Sequence, residues 1–278
     1  MTANLPHKNR HGEAEKGLEH STKSSRLTDW RPARDSAGHG PPPLRYPELM
    51  PTALVLSAGG MFAAWEVGVW KVLREYFTPD LIVGASAGAW NGWSIAGGAT
   101  AEELVREWLD PSTATLMRSG PLHAKARHLF EHYQPRVPFG LTVVEAPHLR
   151  SHIVRGPEIS WQHLAATCSI PVVFPPVRIG GKLYVDGGFL GALPLWAAEE
   201  MGATRAIAIN CLTTWPFRLV RKVIPPRQPG AGLEVVRIEP STPLGSLRDT
   251  FHWSAANTKR WIALGESDGK QALASITM

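Results

Sequence analysis

The chain has 278 residues, 44% hydrophobic and 19% charged, enough apolar material for a sizeable core and one or two domains. Two cysteines, Cys168 and Cys211, exclude a disulfide framework, and no CxxC pattern offers a zinc or redox pair. A net charge of +5 and a pI near 9.4 suit an anionic surface but are ordinary for a soluble enzyme, so no nucleic-acid partner is expected.

Residues 1–50 contain no Val, Ile or Phe and end in a run of prolines from Pro41 to Pro47. Such a segment buries too little to offset its ordering entropy, so 1–50 is expected to be a disordered tail and 51–278 the folded domain. It lacks the apolar stretch of a secretory signal, and a cytoplasmic location is the expectation. Ala53–Leu56 reads as a strand and Ser57–Gly60 as a glycine-rich turn. Trp65, Val69, Val72, Leu73 and Tyr76 then share one face of a helix. Leu81–Ala85 is a second strand and Ala87–Ala96 a helix. Ala101–Leu109 is another helix, stopped by Pro111. The stretch 111–140, rich in His and Arg, is expected to be a solvated lobe. Further strands are expected over Thr142–Glu145, His152–Arg155, Lys182–Val185, Ala206–Asn210 and Leu233–Ile238. Helices are expected over Ile159–Cys168, Pro194–Met201 and Ala255–Leu273. Strands alternating with helices predict an α/β fold with a mostly parallel central sheet.

From Leu81 to Ala101 no residue is charged, a length that would cross a bilayer. Five glycines together with Ser86, Asn91 and Ser94 make this composition poor for insertion. A buried strand, a tight turn and a buried helix account for it, and no transmembrane segment is expected.

Gly84-Ala85-Ser86-Ala87-Gly88 fits G-x-S-x-G between a strand and a helix, the context in which a serine stands exposed on a sharp turn. The following helix aims its N-terminal N–H groups at that serine. Asp186 opens Asp186-Gly187-Gly188 at the end of a strand, and active sites of parallel sheets collect at such ends. Gly59 and Gly60 lie between the first strand and its helix, where backbone N–H groups can stabilise developing negative charge. No Lys-Ser/Thr pair follows this turn, so it is not a phosphate loop, and Ser57–Phe62 fails G-x-G-x-x-G, so no dinucleotide site is expected.

Leu56-Ser57-Ala58-Gly59-Gly60-Met61-Phe62-Ala63, Gly84–Gly88, Asp186–Gly188 and the proline-rich Cys168–Pro176 together resemble the patatin-like phospholipases. The resemblance implies a three-layer α/β/α sandwich and metal-independent hydrolysis of lipid esters by a Ser–Asp dyad, without a cofactor. It implies Ser86 as nucleophile, Asp186 as base, and Gly59, Gly60 and Met61 as oxyanion donors. The partner is then a lipid or ester substrate, compatible with transient contact with a membrane surface. Four positions depart from the family pattern. Ala58 and Ala63 replace glycines, at a steric cost if φ is positive there. Phe62 replaces a basic residue and Ala192 an asparagine. Two other readings stay open. One is a classical α/β-hydrolase with a Ser86/Asp186/His252 triad; the other is a non-catalytic lipid-binding relative.

His128/His132 and His148/His152 have zinc-like spacing but no further ligand, and are read as surface residues. Cys168 is read as buried and inert. The tryptophans are read chiefly as core, with some available for a lipid-facing rim.

Overall fold

The computed structural model describes residues 51–213 and 227–276. The tail expected over 1–50 therefore lies outside the described residues. Among them, five strands form a parallel block in the order β3-β2-β1-β7-β8, with β1 (Thr52–Leu56) central and β2 (Leu81–Ala85), β3 (Phe139–Ala146), β7 (Arg205–Ile209) and β8 (Glu234–Ile238) around it. β1 and β2 are buried along their whole length, as strands covered on both faces are. Leu54 and Leu56 face one helical layer, and Ala53 and Val55 face the other. The first layer holds α1 (Ala63–Leu73), α2 (Ala87–Ala96), α3 (Ala101–Leu109), α4 (Ser119–His132), α5 (Trp161–Ala166) and α7 (Ala255–Ile276). The second holds α6 (Leu195–Glu200). The architecture is a mixed α/β sheet with helices on both sides.

Three strands depart from the parallel expectation. β4 (Arg150–Arg155) and β6 (Lys182–Asp186) run antiparallel to β3, and β5 (Val177–Ile179) antiparallel to β6. β5 was not expected, because its three residues follow Pro175-Pro176 and are too few to show a period. The solvated lobe expected over 111–140 is corrected: it contains α4, with Leu122, Ala126 and Leu129 buried on one face. Its His and Arg residues occupy the other face and mask the helical period.

The uncharged run Leu81–Ala101 resolves into β2 and α2, and every residue of α2 is buried. No described helix is long and apolar enough to cross a membrane. Trp65, Trp70, Trp90, Trp93, Trp108 and Trp196 are all core residues, so none of these six forms a lipid-facing rim.

Candidate active site

The site follows from how β3 shares its edges. β4 pairs along β3 from Gly140 to Glu145 and occupies one edge. On the other edge β2 pairs up to Ala85↔Thr142, and β6 takes over at Val143↔Asp186. β2 and β6 run head to head along that edge, so their carboxyl ends meet. Ser86 follows the last residue of β2, and Asp186 is the last of β6. The strand order reverses at β1, beside β2, and the junction lies at the carboxyl end of the parallel strands, the end at which open α/β sheets bind ligands.

Ser86 Oγ donates a hydrogen bond to Asp186 Oδ2 at 2.6 Å, and both residues are buried. Asp186 Oδ1 accepts the Gly188 N–H at 2.7 Å. Burial pushes the Asp186 carboxyl up to about 7, against the opposing bonds from Ser86 and Gly188. Ser86 has φ 53° and ψ −130° at the N-cap of α2, a strained conformation for a residue with a Cβ. Thr167 helps hold it: its Oγ1 accepts the Ser86 N–H at 2.9 Å and donates to the Thr142 carbonyl at 2.8 Å. Ser169 O accepts the Asp186 N–H at 2.9 Å.

The motif glycines are where the three segments touch. A Cβ on Gly88 would lie 2.3 Å from Ser57 O, and one on Gly84 would lie 2.5 Å from Ala89 Cα. On Gly187 it would lie 1.9 Å from Thr142 O, and on Gly188 2.2 Å from Ala58 Cβ. The serine turn thus meets the glycine turn backbone to backbone, the aspartate loop meets β3 in the same way, and Gly188 leaves room for the Ala58 side chain. Gly60 has φ +53° in a short 3-10 turn, Gly60–Phe62, that leads into α1. Among the described residues, the N–H groups of Gly59, Gly60 and Met61 find no acceptor.

The departures from the family pattern are accommodated. Ala63 has φ −64° and Ala58 is not among the positive-φ residues, so neither carries the steric cost. Ala192 contributes its carbonyl, which accepts the Ala58 N–H at 2.7 Å. Phe62 is fully buried edge-on against Trp261, with centroids 5.2 Å apart. His252 is exposed and hydrogen-bonds to neither Ser86 nor Asp186. His148 sits in the β3–β4 turn and His152 on β4, so that pair shares no helix. Cys168 is buried, and burial together with the Asp186 charge pushes its thiol well up.

Sequence reading missed a second buried carboxylate behind the glycine turn. Glu66 Oε1 accepts the Ser57 N–H at 3.0 Å and the Ser57 hydroxyl at 3.1 Å, and Oε2 accepts Asn91 Nδ2 at 3.1 Å. It thereby ties β1 and α1 to α2. The available signal was one acidic residue in the otherwise uncharged run Met61–Trp70. Burial pushes the Glu66 carboxyl up to about 8. The native state therefore holds a proton at Glu66 that the unfolded chain releases between about pH 4.5 and 8, and stability falls as pH rises through that window. Glu66→Gln keeps the shape without the charge, so any fall in its melting temperature between pH 5 and 8 should be smaller than that of the wild type. An identical fall in both proteins would contradict the assignment.

Comparison with known proteins identifies the family. The model of the family described as patatin-like phospholipase matches residues 54–155 and 137–199. Human patatin-like phospholipase domain-containing protein 6 is 30% identical over 182 residues, covering 57% of this chain and 13% of that protein. Lysophospholipase NTE1 of Cryptococcus neoformans is 25% identical over 184 residues, covering 56% of this chain and 11% of that one. The chain thus matches only a small part of the length of these relatives. Among solved structures, VipD from Legionella pneumophila aligns with a TM-score of 0.49 at 13% identity, over 81% of this chain and 67% of that one. The type III effector ExoU aligns with a TM-score of 0.42 at 13% identity, over 85% and 53%. With the family model spanning more than half of the sequence, and the serine, aspartate and glycine motifs all inside or beside the match, the chain belongs to the patatin-like phospholipase family.

Proposed function

We propose that this protein is a serine acyl hydrolase that cleaves carboxylic esters of lipids through a Ser86–Asp186 dyad. The observation that carries this reading is the direct 2.6 Å hydrogen bond from Ser86 Oγ to Asp186 Oδ2. In a triad an imidazole would stand between the two; here the serine hydroxyl meets the carboxylate itself, and His252 is not required.

Ser86 Oγ attacks the ester carbonyl carbon while its proton passes to Asp186. The carbonyl oxygen becomes an oxyanion, stabilised by the N–H groups of Gly59, Gly60 and Met61. Asp186 returns the proton to the departing alcohol, and an acyl-Ser86 ester remains. Water, deprotonated by Asp186, then attacks the acyl carbon, and Asp186 returns that proton to Ser86 Oγ as the acyl–oxygen bond breaks and the fatty acid leaves. A base must be ionised to act, and the Asp186 carboxyl lies at about 7, so kcat/KM should rise with pH through neutrality.

The test is covalent capture. A fluorophosphonate probe should label the folded protein, with the adduct on Ser86 by mass spectrometry. Labelling on another residue, or none on folded protein, would overturn the nucleophile assignment.

A further inference from the structure

We infer that the surface above the dyad, formed by the β3–β4 and β5–β6 hairpin tips beyond the amino end of β6 together with Val172 and Phe189 near its carboxyl end, docks this protein on an anionic lipid surface. The inference rests on the lipid-hydrolase reading only for the purpose of docking; its observations are separate.

Val172 is fully exposed, at 105% relative accessibility, and has φ +73°. A β-branched residue is a marked outlier at positive φ, where Asn or Gly is tolerated. The folded chain therefore bears backbone strain and exposed apolar surface at one residue and gains no internal packing from it. Val173 and Phe189 are exposed as well, at 47% and 38%. Both segments are anchored at Asp186: Ser169 O accepts the Asp186 N–H, and the Phe189 N–H donates to Asp186 O at 3.2 Å. Val172 lies three residues beyond Ser169 and Phe189 three beyond Asp186, so both exposed apolar residues are short chain distances from the site.

The two hairpin tips carry exposed cations. The β3–β4 turn presents exposed Leu149 beside exposed Arg150, and the β5–β6 hairpin presents exposed Arg178 and Lys182. Apart from Asp186, the acidic residue of these two hairpins is Glu145, which is engaged by Lys182 and His152. From the Val143↔Asp186 pair to Ala146↔Leu183 the ladder climbs about 10 Å, at roughly 3.3 Å per residue, so the tips stand above the dyad. Exposed cations together with exposed aliphatic and aromatic side chains complement a surface of anionic headgroups over acyl chains. With the tips on such a surface, the site faces the lipid.

The test uses the full chain carrying Ser86→Ala, so that binding is read without turnover. The protein is sedimented with phosphatidylcholine vesicles with and without phosphatidylglycerol. Binding should need the anionic lipid and weaken as salt rises from about 0.1 M to 1 M, where the screening length drops from about 10 to 3 Å. Val172→Asn with Phe189→Ser should weaken binding at least about tenfold, from the lost apolar burial. Arg150→Gln with Arg178→Gln should weaken it about 25-fold, at roughly fivefold per cation. In the background that retains Ser86, both double variants should keep the melting temperature and the activity on a soluble short-chain ester; Val172→Asn alone should melt no lower than wild type. Equal binding to neutral vesicles, no binding to any vesicle, or full binding by the Val172/Phe189 variant would overturn the inference. Vesicle binding by a wild type that shows neither Ser86 labelling nor esterase activity would instead refute the hydrolase reading and leave the docking surface standing.

Discussion

Asp186→Asn should lower kcat/KM on a short-chain ester by about 10²–10⁴, the usual contribution of a general base, while Ser86→Ala abolishes turnover and His252→Ala leaves it unchanged. The asparagine can keep the place of the carboxylate beside Ser86 and Gly188 but cannot take the proton. Melting curves separate chemistry from unfolding. Removing a buried carboxyl whose pKa is raised to about 7 removes a cost paid above that pH, so Asp186→Asn should be no less stable than wild type at pH 8. His252 is exposed and bonded to neither member of the pair, so its loss reports on the triad alone. A folded His252→Ala variant weakened about a thousandfold, on the scale of a missing base, would replace the dyad with a triad.

Gly68→Ala should lower the melting temperature by about 6–12 °C, the equivalent of roughly 3 kcal/mol of overpacking in a domain of this size. Two effects of opposite sign compete. Alanine is a better helix former than glycine by about 1 kcal/mol in a helix interior, which alone would raise the melting temperature. Against this, a Cβ on Gly68 would lie 2.1 Å from the Ile262 carbonyl oxygen and 2.9 Å from the Glu266 amide nitrogen, both backbone atoms of α7. Gly265 makes the reciprocal approach, its Cβ position 2.1 Å from Trp65 O. Two helices crossing through paired glycines cannot yield by turning a side chain; they must separate. Separation would also loosen Trp65, whose Nε1 donates to Asp268 at 2.8 Å, and the fully buried Trp261. A melting temperature equal to or above that of wild type would show that propensity wins and that α1 and α7 pack less tightly than described.

Periodicity made most elements legible because they are buried on one face or on two. Leu81–Ala85 and Ala87–Ala96 were delimited by composition to the residue. α4 was lost because its buried stripe of Leu122, Ala126 and Leu129 is diluted by cationic residues on the exposed face. β5 was lost because three residues cannot display an alternation. The antiparallel course of β4 and β6 was also not legible, since strand direction depends on where a chain returns and not on its own pattern.

Of the site, the sequence by itself determined the chemistry available: a serine on a strand–helix turn, an aspartate at a strand end, and small residues around both. Those motifs are local, and each needs only a few neighbouring residues to take its shape. Tertiary structure alone decided that Ser86 and Asp186, 100 residues apart, meet at 2.6 Å, because β2 and β6 share one edge of β3 and end against each other. It also decided that Thr167 fixes the Ser86 N–H, that Glu66 braces Ser57, and that Val172 is left exposed under strain. Those outcomes depend on which distant segment fills the space beside a residue, and a single chain read in order carries no distance between segments that touch only after folding.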